Sequence, residues 1–125
     1  VGEVFLETRV RGSVEQVFDW ARSIEVHCLA ASFTDERVVE PGRLSGLLEL
    51  GDLVTFEARH LGVRQQLTAV IVELDRPHRF VDEMRHGAFE SLRHVHEFEA
   101  RGGVTLLRDR LTWKAPFGPV GMLAN

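Results

Sequence analysis

Apolar residues recur at every second position over most of this chain, and at helical spacing only near its beginning. Glu3 to Arg11 alternates, which predicts a first strand ended by Gly12. Ser13 followed by Gln16 makes a capping box, after which Val14, Val17, Phe18 and Ala21 recur as one face of a short helix. A second helical turn or two is expected over Ile24 to Ala31. A loop at Ser32-Phe33-Thr34-Asp35 and a short strand from Arg37 to Glu40 follow, broken by Pro41-Gly42. From Leu53 onward the period is two. Leu53 to His60 and Val63 to Leu74 flank a turn at Leu61-Gly62, which sets Phe56 against Leu67 and Val54 against Ala69 on an apolar face. Glu57 with Gln66 and Thr55 with Thr68 form the polar face. Val70 and Val72 fall on that polar side, where they predict an exposed apolar patch or a partner contact.

The strand from Arg79 to Arg85 follows Asp75-Arg76-Pro77 and carries Phe80, Asp82 and Met84 on one face, Val81 and Glu83 on the other. The first face buries more apolar surface and is taken as the inner one. The segment from Gly87 to Trp113 reads as a long hairpin. If Gly102-Gly103 is its two-residue loop, partner numbers sum to 205, so Phe98 opposes Leu107, His96 opposes Asp109, His94 opposes Leu111 and Leu92 opposes Trp113. A slip by one residue would turn Leu107, Leu111 and Trp113 outward, so the pattern itself supports this register. Two histidines then face inward beside a carboxylate, with Asp82 close to His94 from the preceding strand.

The tally is one strand, one or two short helices and six further antiparallel strands, read as a single domain over residues 1–125. A formal charge of -4, with 15 basic against 19 acidic residues and no basic run, argues against a nucleic-acid partner. The basic residues, all arginine except Lys114, are scattered along strands and turns without a phosphate footprint. The lone Cys28, in the apolar helical segment IEVHCLAA, excludes an intrachain disulfide and reads as a small buried hydrophobe rather than a nucleophile paired with adjacent His27. Without a secretory signal or a long apolar run, the expected setting is the cytoplasm, with no membrane insertion. His60, His78 and His86 read as solvated.

The inward face supplies the candidate site. Phe56, Leu67, Ile71, Met84, Phe98, Leu111 and Trp113 would wall a cavity, and Asp82, His94, His96 and Asp109 would orient a small hydrophobic ligand within it. The plainer alternative is that these four polar residues only satisfy one another, since a buried group left unmatched costs about 1 to 3 kcal/mol. A histidine oriented by a carboxylate, His94 or His96 with Asp109, could also perform general acid–base chemistry. His94-x-His96 also has the spacing of two metal ligands on one strand, and with Gly87 and Glu99 it comes near the first cupin motif. Glu99, however, points to the other face and no later histidine completes a ligand set. No metal and no cofactor are assigned.

Several segments together resemble the START-like superfamily, the SRPBCC or Bet v 1-like helix-grip proteins, and within it the bacterial polyketide cyclase/dehydrase-like ligand-binding group. These are Val17-Phe18-Asp19, Pro77 with Arg79-Phe80-Val81-Asp82-Glu83, Gly87-Ala88-Phe89, His94-Val95-His96-Glu97-Phe98-Glu99, Arg108-Asp109-Arg110 and Pro116-Phe117-Gly118. The resemblance spans nearly the whole chain. It implies an α+β helix-grip fold, in which a curved antiparallel sheet of about seven strands wraps a long C-terminal helix and encloses a hydrophobic molecule. It also implies lipid- or polyketide-like ligands and, in some relatives, cyclase or dehydratase activity or protein interaction. Two departures stand out. Gly12 replaces the family proline before the first helix, and the C-terminal helix would begin near Pro119, so within a sequence reaching Asn125 it is expected to be truncated or missing. A sheet left open in this way could be covered by a second copy or another protein.

Overall fold

A computed structural model of the chain describes residues 1–31, 35–60 and 62–115. Seven strands form one antiparallel sheet: β1 (Gly2–Arg11), β2 (Arg37–Val39), β3 (Leu53–His60), β4 (Val63–Asp75), β5 (Arg79–His86), β6 (Ser91–Arg101) and β7 (Val104–Lys114). Their spatial order is β1-β7-β6-β5-β4-β3-β2, so each strand from β2 to β7 lies beside its sequence neighbour and β1 crosses over to the far edge. Two short helices, α1 (Val14–Ala21) and α2 (Ile24–Ala30), fill the crossover. This is the α+β arrangement that the alternation and the two helical segments predict. Pro116-Phe117-Gly118 and the helix expected near Pro119 lie outside the described residues. Among the described residues no helix is long and apolar enough to cross a membrane.

The capping box is formed. Ser13 Oγ accepts from the Gln16 backbone N–H at 3.2 Å, and the Gln16 side chain accepts from the Ser13 N–H at 3.3 Å. Gly12 has a φ of 146°, a value closed to the proline ring, so this entry to α1 would not accept a proline. α1 then presents Val17 and Phe18 to the sheet. The Phe18 ring meets Phe98 edge-on at 5.0 Å and Phe80 at 5.4 Å, tying β5 and β6 under the helix. Ile24, Leu48, Val54, Ala69 and Ile71 continue this core toward β3 and β4.

Both hairpin registers hold. β3 and β4 pair Phe56 with Leu67 and Val54 with Ala69, and β6 and β7 pair residues whose numbers sum to 205, from Ser91 and Lys114 to Arg101 and Val104. The polar side of β3 and β4 is not a solvated surface, however. Thr55 is fully buried, its hydroxyl shared between Thr68 Oγ1 and the Pro41 carbonyl at 2.7 Å each, and Glu57 is bound by Gln66 and Arg37. The chain after β2 crosses this side, where the Arg43 N–H donates to the Leu53 carbonyl. The exposed patch expected at Val70 and Val72 is accordingly corrected. Val70 is 7% exposed, between Leu53 and Glu83, and Val72 is half-buried at a bulge where the register of β4 on β5 shifts between Ile71 and Glu73.

The segment between β2 and β3 is also what positions one wall of the interior. Arg22, 6% exposed at the end of α1, donates to the Leu48 carbonyl and to Glu49, and its Nε donates to Asp19. An isolated bridge between Ser23 and Leu47 adds to this anchor and brings Leu48 into the core. One of the arginines that the sequence presents as scattered charge is therefore a buried anchor.

Candidate functional site

Between the sheet and the two helices lies a cavity of about 430 Å³. Ala21 and Ile24 form its helical side, Leu48 comes from the anchored segment, and Val54, Phe56, Leu67, Ala69, Ile71, Phe80, Leu92 and Leu111 form the sheet side. Alternation explains this: each sheet residue shares the inner face of its strand, and the curl of the sheet turns that face into a concave wall. Asp82, His94 and His96 are the polar members of the wall on the β5 and β6 side.

Their geometry differs in one respect from a simple face-to-face pairing. His96 and Asp109 are register partners, and His94 and Asp82 likewise. The side chains nevertheless connect diagonally as well as directly. His94 Nε2 donates to Asp109 Oδ1 at 2.8 Å, His96 Nε2 meets Asp82 Oδ2 at 2.9 Å, and His96 Nδ1 lies 3.2 Å from the same Asp109 oxygen. The two imidazoles stack at 3.7 Å, and His96 stacks in turn on Phe80 at 4.0 Å. The expected pairing of His96 with Asp109 thus becomes a four-membered chain, Asp82 to His96 to Asp109 to His94.

Electrostatics follow from that chain. Burial works against a charged His96, but the hydrogen bonds and charges of Asp109 and Asp82 prevail and raise its pKa above the ordinary value. Burial would also raise Asp109, yet hydrogen bonds from His94 and His96 hold its carboxyl well below the usual carboxylate range.

Seven of the eleven residues assigned to the site from sequence line the cavity: Phe56, Leu67, Ile71, Asp82, His94, His96 and Leu111. Four stand elsewhere. Phe98 is 5% exposed and packed against Phe18, so it belongs to the core under α1 rather than to the wall. Asp109 holds the histidines through hydrogen bonds without itself lining the cavity. Met84 and Trp113 border a separate, more open groove of about 470 Å³ with Glu83, Arg93 and Lys114, residues of the opposite sheet face.

Sequence reasoning missed a second polar station, on the β2 to β4 side. His27 Nε2 donates to Glu36 Oε1 at 2.6 Å, and its ring lies against Phe56 at 4.2 Å. His27, Glu36, Gln65 and Gln66 all line the cavity, as does Phe89 from the turn before β6. The helical spacing from Ile24 to His27 and Cys28 was the available signal. It puts all three on one side of α2, where Cys28 packs against the core as expected of a small hydrophobe.

No family model and no curated protein matches this sequence. Solved structures do share its architecture, a curled sheet with two crossover helices beneath which the cavity lies. Ginseng major latex-like protein 151 from Panax ginseng aligns with a TM-score of 0.67 at 12% identity, over 98% of this chain and 88% of that one. TTHA0849 from Thermus thermophilus aligns with a TM-score of 0.70 at 19% identity, over 98% and 80%. CalU16 from Micromonospora echinospora gives 0.59 at 12% identity, over 91% of this chain and 61% of that one. The chain therefore has the START-like, Bet v 1-like helix-grip fold, as its residues resemble.

Proposed function

We propose that this protein binds a small hydrophobic or aromatic molecule, of lipid or polyketide character, non-covalently in the cavity between sheet and helices. The observation that carries the reading is the cavity itself: about 430 Å³, with apolar and aromatic walls and a few convergent polar groups. That volume and composition are typical of small-molecule sites, which run from roughly 300 to 1,000 Å³. Phe56, Leu67, Ile71 and Leu111 would contact the ligand body, and His94, His96 and Asp82 its polar group. Asp109 would act by holding both imidazoles. The reading treats residues 1–125 as one domain working in the cytoplasm, where Cys28 stays a free thiol.

Native mass spectrometry of gently purified, chelator-treated protein tests it, with denatured extracts and a panel of hydrophobic and aromatic probes as comparison. A retained organic mass that denaturation releases, or saturable uptake of a probe that Phe56→Ala weakens, is the expected result. Bare protein that takes up no probe would overturn the proposal. The same spectra report oligomeric state, for which Val4 and Leu6 on the exposed edge strand β1 are the reason to look.

A second reading draws on the raised pKa of His96 between two carboxylates. An imidazole whose protonated form is stabilised in this way can, once neutral and released by Asp82, take a proton from carbon next to a ketone and return it to a leaving hydroxyl, the chemistry of a cyclase or dehydratase. Solvent deuterium exchange into a bound polyketide-like probe, lost in His96→Gln, is the outcome expected of that reading.

A further inference from the structure

His96 has a carboxylate against each ring nitrogen, Asp82 at Nε2 and Asp109 at Nδ1. A neutral imidazole carries only one N–H, so one of these contacts calls for an additional cation, either a second proton or a metal ion. His94 stands beside it with Nε2 already held by Asp109, which leaves Nδ1 as its available donor atom. Asp82, His94 and His96 each offer a ligand atom, and the three lie within 4.8 Å of one another.

We propose that Asp82, His94 and His96 form a binding site for a divalent first-row transition cation such as Zn²⁺, with Asp109 as the carboxylate that orients both histidines. Asp82 Oδ2, His96 Nε2 and His94 Nδ1 are the ligand atoms. In this assignment Asp109 accepts the remaining N–H of each imidazole, the arrangement that usually fixes the tautomer of metal-bound histidine. The donor chemistry suits the ion, since imidazole and carboxylate are common zinc ligands and this set matches the two-histidine, one-carboxylate class. Distances are compatible as well. Bonds of about 2.0 to 2.2 Å in a tetrahedron hold the donors roughly 3.3 Å apart. The Asp82 to His96 contact of 2.9 Å would widen slightly, and His94 would turn out of its 3.7 Å stack on His96 so that both ring planes meet at the cation. All three side chains retain some exposure, 26% for Asp82, 30% for His94 and 12% for His96, which leaves room for that adjustment. Because the three residues line the cavity, the fourth coordination position of the cation opens into it, toward an oxygen of water or of a bound molecule.

The proposal goes beyond the cavity reading and does not depend on it. Untagged, chelator-treated protein is titrated with Zn²⁺ alone by calorimetry, while histidine side-chain nitrogens are followed by NMR. One Zn²⁺ per chain is expected, with resonances of His94 and His96 shifting and those of His78 and His86 unmoved. His94→Ala should lower affinity by more than about tenfold, and Asp109→Asn by about 10- to 100-fold, the usual effect of losing an orienting carboxylate. Absence of saturable Zn²⁺ binding overturns the site, and so do shifts confined to the exposed histidines. If a variant does not fold, the resonance shifts in the unmutated protein decide. Since the organic ligand test is run in chelator and this one without ligand, either can fail alone.

Discussion

Asp82 stands directly across the sheet from His94, yet its carboxylate bonds His96, 2.9 Å away and two residues further along β6. The diagonal leaves Asp109 to hold both imidazoles through one oxygen. It turns two cross-strand pairs into one network, so a change at either acid reaches both histidines.

Asp109→Asn should leave the fold intact and lower the pKa of His96, because it removes a charge that favours the imidazolium while the burial opposing it stays. NMR titration of the six histidines checks this. A variant in which no histidine titration moves would contradict the network.

In the metal-free protein the network also sets how stability varies with pH. His96 binds its proton more tightly when folded, so its contribution is complete below the unfolded value of about 6.5 and is lost as pH rises through the higher folded value. Asp109 has the opposite sign. Its lowered pKa contributes above about pH 4 and is lost as acid protonates it. Together they place their joint maximum between roughly pH 4 and 6.5. Melting temperature should therefore fall as pH rises above about 6.5, and His96→Gln should flatten that decline. An alkaline limb identical in both proteins would remove His96 as its source.

Phe98→Ala should destabilise the protein by roughly 3 to 5 kcal/mol in urea denaturation, the cost of removing a buried ring against Phe18. Phe56→Ala is expected to cost less stability and more ligand affinity, since Phe56 is half-buried and borders the cavity. Equal stability losses would mean that the interior is packed more uniformly than this division implies.

Ser13→Ala removes the oxygen that accepts from Gln16 and should cost about 1 kcal/mol. Ser13→Gly should cost only a few tenths, because glycine also leaves the cap backbone free. Equal losses for the two would argue that the capping box contributes little to α1.

Much of this architecture was legible along the chain because period-two alternation and glycine turns are local signals. Gly102 and Gly103 fix the β6–β7 register, and with it the inward aim of His94, His96 and Phe98. Phe56 and Leu67 were placed by the same argument at β3 and β4. Alternation states a face, though, and not what covers it. Thr55 and Val70 are on the polar side yet buried, and for Thr55 it is the segment after β2, through the Pro41 carbonyl, that closes over the hydroxyl.

The candidate site divides along the same line. The sequence by itself determined which side chains share the concave face, because in a strand the side-chain direction follows from the backbone. Tertiary structure alone decided how far the cavity extends along that face, which is why Phe98 is core and Trp113 lies beyond it. It also decided the partners of Asp82 and Asp109, and it brought His27 and Glu36 to Phe56. Those outcomes rest on the curl of the sheet and on helix packing, in which residues far apart in the chain settle a contact over a few ångströms.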